Sequence, residues 1–366
     1  MSFYIKKCLH VLVAFSIYFF PIYSLASTYQ VIKIASGLGI PWGMSFLSNN
    51  EIIFTERGGK VGVLRLDSGD YYYLTTVPGI YVSGQGGLLD VAKPSNESND
   101  WIYFTYSKLI NGNGATTLSR AHIKEGELQD WQDLLVTDSV TDTDRHFGSR
   151  IAFNDNYVFF SVGDRGHRPN AQDLGSHAGS IIRLNMDGSV PDDNPFVSDP
   201  DALDEIWSYG HRNPQGLVWD KGRKILWSIE HGPRGGDEIN IIMKGKNYGW
   251  PTISYGKEYW LPIAVGEGTT KDGMEQPIKY YDPSIAPGSL MLYNGRAFPK
   301  WRGSLLAGAL KLQHINIVDI DKSGNEVSET RELKYLNQRI RTLTQSASGL
   351  IYFSTDSGNI YVIKPE

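Results

Sequence analysis

Cysteine is all but missing: the only one in 366 residues is Cys8, close to the N-terminus. A mature form without that end has no disulfide, no thiolate chemistry and no sulfur-ligated metal. Excess positive charge is missing too. The chain carries 35 Lys and Arg against 40 Asp and Glu, a net charge of −5, which suits nucleic-acid binding poorly. Several catalytic signatures do not occur: there is no His-Glu-x-x-His, no Gly-Lys-Ser/Thr phosphate loop and no Gly-x-Ser-x-Gly. No stretch of the mature chain makes a convincing helix, because the candidates are short and broken by Gly, Pro or Asn. No linker or shift of composition divides the chain into two domains.

What is present begins with a leader. Lys6 and Lys7 precede a mostly apolar run from Leu9 to about Ile22, and Ser24-Leu25-Ala26 follows. Charged, apolar and small-x-Ala regions in that order read as a secretory signal peptide over residues 1–26. The alternative, an uncleaved anchor, fits less well, because the run is short and Pro21 interrupts it near its end. Cys8 stands before the apolar run, so it is not placed as a lipoprotein cysteine. Cleavage removes two lysines and no acid, taking the net charge to −7. The expected location is the periplasm of a Gram-negative cell, with no stable membrane association. Asn96-Glu-Ser matches a glycosylation sequon but matters little there.

The mature chain, residues 27–366, reads as all-β. Over the whole sequence hydrophobic residues make up 41% and aromatics 12%, and 39 Gly and 17 Pro are scattered through it, as many short strands joined by turns require. Strand-like runs begin at Tyr29, Glu51, Val61, Trp101, Tyr157, Ile225, Ser304, Ile315 and Leu350. Several share one degenerate phrase, apolar-aromatic-apolar then Ser or Thr: IYFTYS (102–107), YVFFSVGD (157–164), ILWSIEHG (225–232) and IYFSTDSG (351–358). Weak self-similarity at roughly 50–70 residues points to a β-propeller of about six blades, with a pair of β-sandwiches as the rival. Gly358-Asn-Ile-Tyr-Val-Ile can pair with the strand from Tyr29 to Ile34 and close the ring, leaving no exposed edge.

Chemistry is then sought in the odd loops. His146 sits in Arg145-His-Phe-Gly-Ser-Arg150, and Gly163-Asp164-Arg165-Gly166 ends a strand. A carboxylate there can hold a histidine in one tautomer and raise its basicity, although each segment also reads as an ordinary turn. Arg212-Asn213-Pro214 displays a cation and an amide together. Arg339 and Arg341 share one face of a strand, where they repel unless an anion lies between them. Lys311 follows an apolar run. Asp319-x-Asp321-x-Ser323-Gly324 opens like a calcium loop but lacks the closing Glu, so it is expected to be a hairpin turn. The stretch EHGPRGGDEINIIMKGKNYGWP (230–251) surrounds one buried strand with glycine, proline and charge.

Together these phrases resemble the soluble pyrroloquinoline-quinone (PQQ)-dependent aldose sugar dehydrogenases, relatives of soluble quinoprotein glucose dehydrogenase. The matching segments are Gly84-Gln85-Gly86-Gly87-Leu88, the His146 segment, GDRG (163–166), EIWSYGHRNPQG (205–216), EHGPRGGDEIN (230–240), KGKNYGWP (244–251), GALK (308–311) and QRIR (338–341). The resemblance implies a six-bladed propeller. It implies His146 as general base, Asp164 as its orienting partner, and Gln85, Arg212, Asn213, Lys311, Arg339 and Arg341 around PQQ. It further implies that the carbonyls of Gly232 and Pro233 hold a calcium against PQQ, and that the Glu238 side chain and Tyr248 carbonyl hold a second, structural calcium. Aldoses would lose the C1 hydride to PQQ, polarised by Ca²⁺ and Arg212, and leave as lactones, with an external acceptor taking the electrons. His231 stands where glucose dehydrogenases place an amide, as in the aldose dehydrogenase branch. Shorter insertions leave substrate and a monomeric or weakly dimeric state open. Two other readings remain: a propeller that binds sugar or protein without chemistry, and a calcium-dependent lactonase, for which no converging carboxylate and Asn ligands are assigned.

Overall fold

The computed structural model describes residues 29–95 and 100–366. The leader 1–26, with Cys8, and the sequon at Asn96 lie outside the described residues. The β-branched and aromatic runs become strands, grouped into six four-stranded antiparallel sheets. Blade I spans 41–76, blade II 88–136, blade III 151–209, blade IV 214–281 and blade V 287–332. Blade VI joins Ile340–Gln345, Ile351–Thr355 and Asn359–Pro365 to the N-terminal strand Tyr29–Ala35. The closure runs in register from Tyr29 opposite Pro365 to Lys33 opposite Tyr361. The innermost strands lie side by side around a central axis, with blade VI returning to blade I. The fold is therefore the six-bladed propeller, not a pair of sandwiches. Helical backbone among the described residues is limited to three short 3₁₀ turns, and none of it could cross a membrane.

Poor alternation in the strand sequences has a direct cause. Blades stack face to face, so their middle strands bury both faces. Glu51–Glu56 and Leu305–Ala309 are buried almost throughout. Ile53, Val63, Val91 and Phe104 pack between blades I and II, and Trp227, Ile229, Leu290 and Leu305 between blades IV and V. Outermost strands such as Glu326–Glu332 are exposed and polar. The calcium-like stretch is a hairpin turn: Asp321 Oδ1 accepts the backbone N–H groups of Ser323 and Asn325, both at 2.8 Å.

Near the axis the inner strands come close. A Cβ on Gly216 of blade IV would lie 2.5 Å from Leu290 Cβ of blade V, so glycine permits that approach. Arg150, just before the inner strand of blade III, fills the space that remains. Its guanidinium donates to Asp90 Oδ1 of blade II (2.9 Å) and to backbone carbonyls of Trp42, Gln215, Gly288 and Arg341. One side chain thus bonds to the inner strands of the other five blades. It also lies 3.8 Å over the Trp42 ring.

Candidate active site

Loops at one end of the propeller gather the candidate residues. His146 has left-handed backbone, φ 58°, followed by Gly148 at 62° and Ser149 at 84°. A non-glycine residue held there costs on the order of 1–3 kcal/mol, so neighbours must over-determine it. They do. The Gln85 side-chain oxygen accepts the His146 N–H at 2.8 Å. Arg165, fully buried, donates to the carbonyls of Thr143 and Arg145 and stacks 3.4 Å over the Phe147 ring. Asn213 Oδ1 accepts the Gly148 N–H at 3.1 Å. Gly163 completes the seat, because a Cβ there would stand 2.3 Å from the His146 carbonyl oxygen. Gly163→Ala is therefore expected to lower turnover roughly 10²-fold by displacing the imidazole, with a smaller effect on the unfolding midpoint; steady-state kinetics beside thermal melts check it.

The imidazole itself is well held. His146 Nδ1 lies 2.6 Å from Asp164 Oδ1, and both groups are buried. Asp164 also accepts the Gly166 N–H on Oδ1 and the Trp250 indole N–H on Oδ2, each at 2.7 Å. Burial pushes the Asp164 carboxyl up, but the His146 hydrogen bond and the His146 and Arg212 charges more than offset it, and the carboxyl stays ionised. Burial lowers the His146 pKa below its ordinary 6.5, with Arg212 adding to the shift and Asp164 opposing it. The ring is thus neutral at neutral pH. Nδ1–H faces the carboxylate, so Nε2 carries the lone pair a general base needs. His146, Asp164, Gln85, Arg212 and Trp250 line a cavity of about 370 Å³, with Arg145, Arg168, Tyr259 and Trp260 at its rim.

A second cavity of about 220 Å³ sits over the axis and shares Gln85. Asn213, Arg339 and Arg341 line it, and His231 and Arg57 join them. Arg339 and Arg341 do share one side, but the anion between them is the protein's own: Asp356 bonds both at 2.8 Å. Arg57 donates to the Gly84 carbonyl, and among the described residues no carboxylate pairs with it. Lys311 is exposed and outside the lining of this cavity. His231 Nε2 lies 2.6 Å from the Pro287 carbonyl, which fixes its N–H there and leaves Nδ1 as an acceptor. Burial pulls its pKa down to about 3, so it is neutral.

A third cavity, about 10 Å³, has room for one water-sized ion. Gly232, Glu238, the Tyr248 residue and Glu230 line it. Glu230 and Glu238 stand directly opposite each other on neighbouring strands. Like charges so placed are unfavourable without a cation. Burial, then the Glu230 charge, pushes the Glu238 carboxyl up to about 8. Glu230 is braced by His211 Nδ1 (3.0 Å) and the Arg212 backbone N–H (2.8 Å). Among the described residues no donor reaches the carbonyls of Gly232 and Tyr248. Opposed carboxylates and unsatisfied carbonyls are a donor set for a hard cation such as calcium. Pro233 is not in that lining; its carbonyl accepts the Ser284 hydroxyl at 3.5 Å.

Gln85, His146, Asp164, Arg212, Asn213, Arg339 and Arg341 thus come together, with Gly232, Glu238 and Tyr248 beside them. Sequence reasoning missed Arg57, Glu230, Trp250 and Asp356. Glu230 and Trp250 did stand at the two ends of the glycine-rich stretch, and Asp356 closed the repeated phrase of 351–358.

Comparison with known proteins agrees in extent as well as in kind. The family model for glucose/sorbosone dehydrogenases matches residues 38–363. The chain is 36% identical over 354 residues to aldose sugar dehydrogenase YliI of Escherichia coli (strain K12), covering 94% of this chain and 95% of that one. It is 27% identical over 414 residues to quinoprotein glucose dehydrogenase B of Acinetobacter calcoaceticus, covering 89% and 85%. The solved apo-form of the soluble E. coli aldose sugar dehydrogenase superposes with a TM-score of 0.88 at 34% identity, over 92% of this chain and 100% of that one.

Proposed function

The chain belongs to the glucose/sorbosone dehydrogenase family, and from that membership we propose that it oxidises the C1 hydroxyl of aldose sugars to lactones, with PQQ and Ca²⁺ bound. The observation that carries this reading is the buried His146–Asp164 pair at 2.6 Å, opening onto a sugar-sized cavity beside a cation-lined one. His146 Nε2 accepts the C1 hydroxyl proton, and Asp164 stabilises the imidazolium that forms. Arg212, with no carboxylate on its guanidinium among the described residues, would set a positive charge beside the reacting carbon and the cofactor. Gln85, Asn213, Arg339 and Arg341, with Arg57 and Lys311 nearby, would hold the cofactor's carboxylates. The Gly232 and Pro233 carbonyls would hold one calcium on the resemblance alone, since the small cavity that Gly232 lines takes one ion and Pro233 stands outside it. Glu238, Glu230 and the Tyr248 carbonyl would hold the other. When bound, PQQ supplies the two-electron oxidant and Ca²⁺ the Lewis acid beside it. An external acceptor would take up the electrons. Removal of residues 1–26 on export to the periplasm, as a monomer or weak homodimer, completes the reading.

The test mixes purified mature protein with PQQ and Ca²⁺ and follows dye reduction with a panel of aldoses, with and without chelator. Activity that needs both additions is expected. The unfolding midpoint should also rise with Ca²⁺ alone, as the opposed carboxylates require. Tight PQQ binding without activity on any aldose would move the question to substrate. No PQQ binding would overturn the enzyme reading and leave a binding propeller.

A further inference from the structure

We propose that Trp250 is a positioning residue for the base: its indole N–H fixes the carboxylate that in turn fixes His146. The inference rests on the reading of His146 as proton acceptor. Trp250 Nε1 donates to Asp164 Oδ2 at 2.7 Å, and both side chains are buried. Asp164 Oδ1 is already engaged by His146 and the Gly166 N–H. Among the described residues the indole is therefore the one side-chain donor that engages the other oxygen, and it stops the carboxylate turning about its own axis.

The indole is itself clamped. Its ring centroid lies 5.4 Å from the Arg168 guanidinium and 5.3 Å from that of Arg212. Arg168 is bound through both terminal nitrogens to Glu258, at 2.6 and 2.7 Å. The Trp250 backbone N–H donates to the Gly210 carbonyl (2.9 Å), and its carbonyl accepts from Gln172 (2.7 Å). Every one of these ties ends on a single hydrogen bond into the dyad. Packing alone does not require that bond, because the indole N–H of Trp207 is buried with no partner among the described residues.

The consequence has a sign. A donor on Oδ2 draws charge away from Oδ1, so it weakens the pull of Asp164 on the imidazolium. Losing it raises the His146 pKa and loosens the ring. The charged and titratable groups that face His146 are Asp164, Arg212, Arg145 and His231; Trp250→Phe leaves all four in place and keeps a ring beside Arg212.

Trp250→Phe keeps a buried ring and removes the donor. In the unloaded protein, the His146 imidazole resonance, assigned with His146→Gln, should titrate roughly half a unit to one unit higher. With PQQ and Ca²⁺, kcat should fall about 10-fold, with the acid limb of the pH profile moved up by the same amount. KM and the PQQ dissociation constant should stay within about two-fold. In ¹⁵N-labelled wild type, which needs no substitution, the Trp250 indole N–H should shift with the pKa of His146. An unmoved titration, or an indole resonance blind to His146, would overturn the proposal. So would equal losses of cofactor affinity and folding stability, which mark a packing role. Both NMR measurements are made without turnover, so they decide the matter even if the wild-type protein oxidises no aldose.

Discussion

His146→Ala is expected to lower kcat for aldose oxidation roughly 10²–10⁴-fold while leaving PQQ binding nearly unchanged. The split follows from what the side chain touches. Its imidazole contacts Asp164 and faces the sugar-sized cavity, whereas the axial cavity is lined by Gln85, Asn213, Arg339 and Arg341 and not by the ring. The backbone N–H bonded to Gln85 survives the substitution. A pH profile gives a second readout. Burial holds the His146 pKa below 6.5, so the base is neutral and competent at neutral pH, and activity is lost only as pH falls through that lower value. The alanine variant should lack that acid limb. Unchanged turnover in it would remove His146 from the mechanism, whatever the rest of the site does.

The propeller was readable because its strands are coded locally. Phrases such as YVFFSVGD and ILWSIEHG carry β-branched and aromatic runs that end in tight turns, and both became middle strands. Their lack of alternation, ambiguous in the sequence, records burial between two neighbouring blades. The ring closure was readable for the same reason, since Tyr29–Ala35 and Asn359–Pro365 are each plain strands needing a partner. The site was readable only where its residues stand in compact motifs. Arg339 and Arg341 were placed correctly on one side, but Asp356 between them comes from a turn 15 to 17 residues away. Trp250 reaches Asp164 across 86 residues of sequence, and no spacing rule spans that distance. Glu230 faces Glu238 only because two strands pair in that register. Local pattern thus gave the strands and the motif residues, while partners supplied by neighbouring strands and loops needed the fold.

Arg150→Met is expected to destabilise the protein by about 3–5 kcal/mol, more than any exposed charge change would. Arg150 stood unremarked at the end of the His146 segment. The guanidinium is buried, and burial lowers its pKa to about 10, still cationic at neutral pH. Removing it strands the Asp90 carboxylate, whose remaining backbone bonds, from the Ile151 N–H (3.0 Å) and from Val91, do not replace a cation. It also orphans carbonyls of Trp42, Gln215, Gly288 and Arg341 at the axis. Methionine fills much of the space, so the loss reports polar connections rather than a cavity. Lysine should rescue little, because one ammonium cannot span acceptors on five blades. Melts should show a midpoint lowered by roughly 4–7 °C. Asp90→Asn in the Arg150→Met background should recover part of that, since it removes the stranded charge. Recovery in the double variant with no loss in Asp90→Asn alone would be inconsistent with a net favourable pair. The substitution should also reach the chemistry indirectly. Trp42, which carries Arg150 on its ring, and Gln215, whose carbonyl Arg150 bonds, both line the axial cavity. Weaker PQQ binding with an unshifted His146 pH limb is therefore the kinetic pattern expected. It separates a keystone under the axial cavity from a member of the proposed proton-transfer machinery.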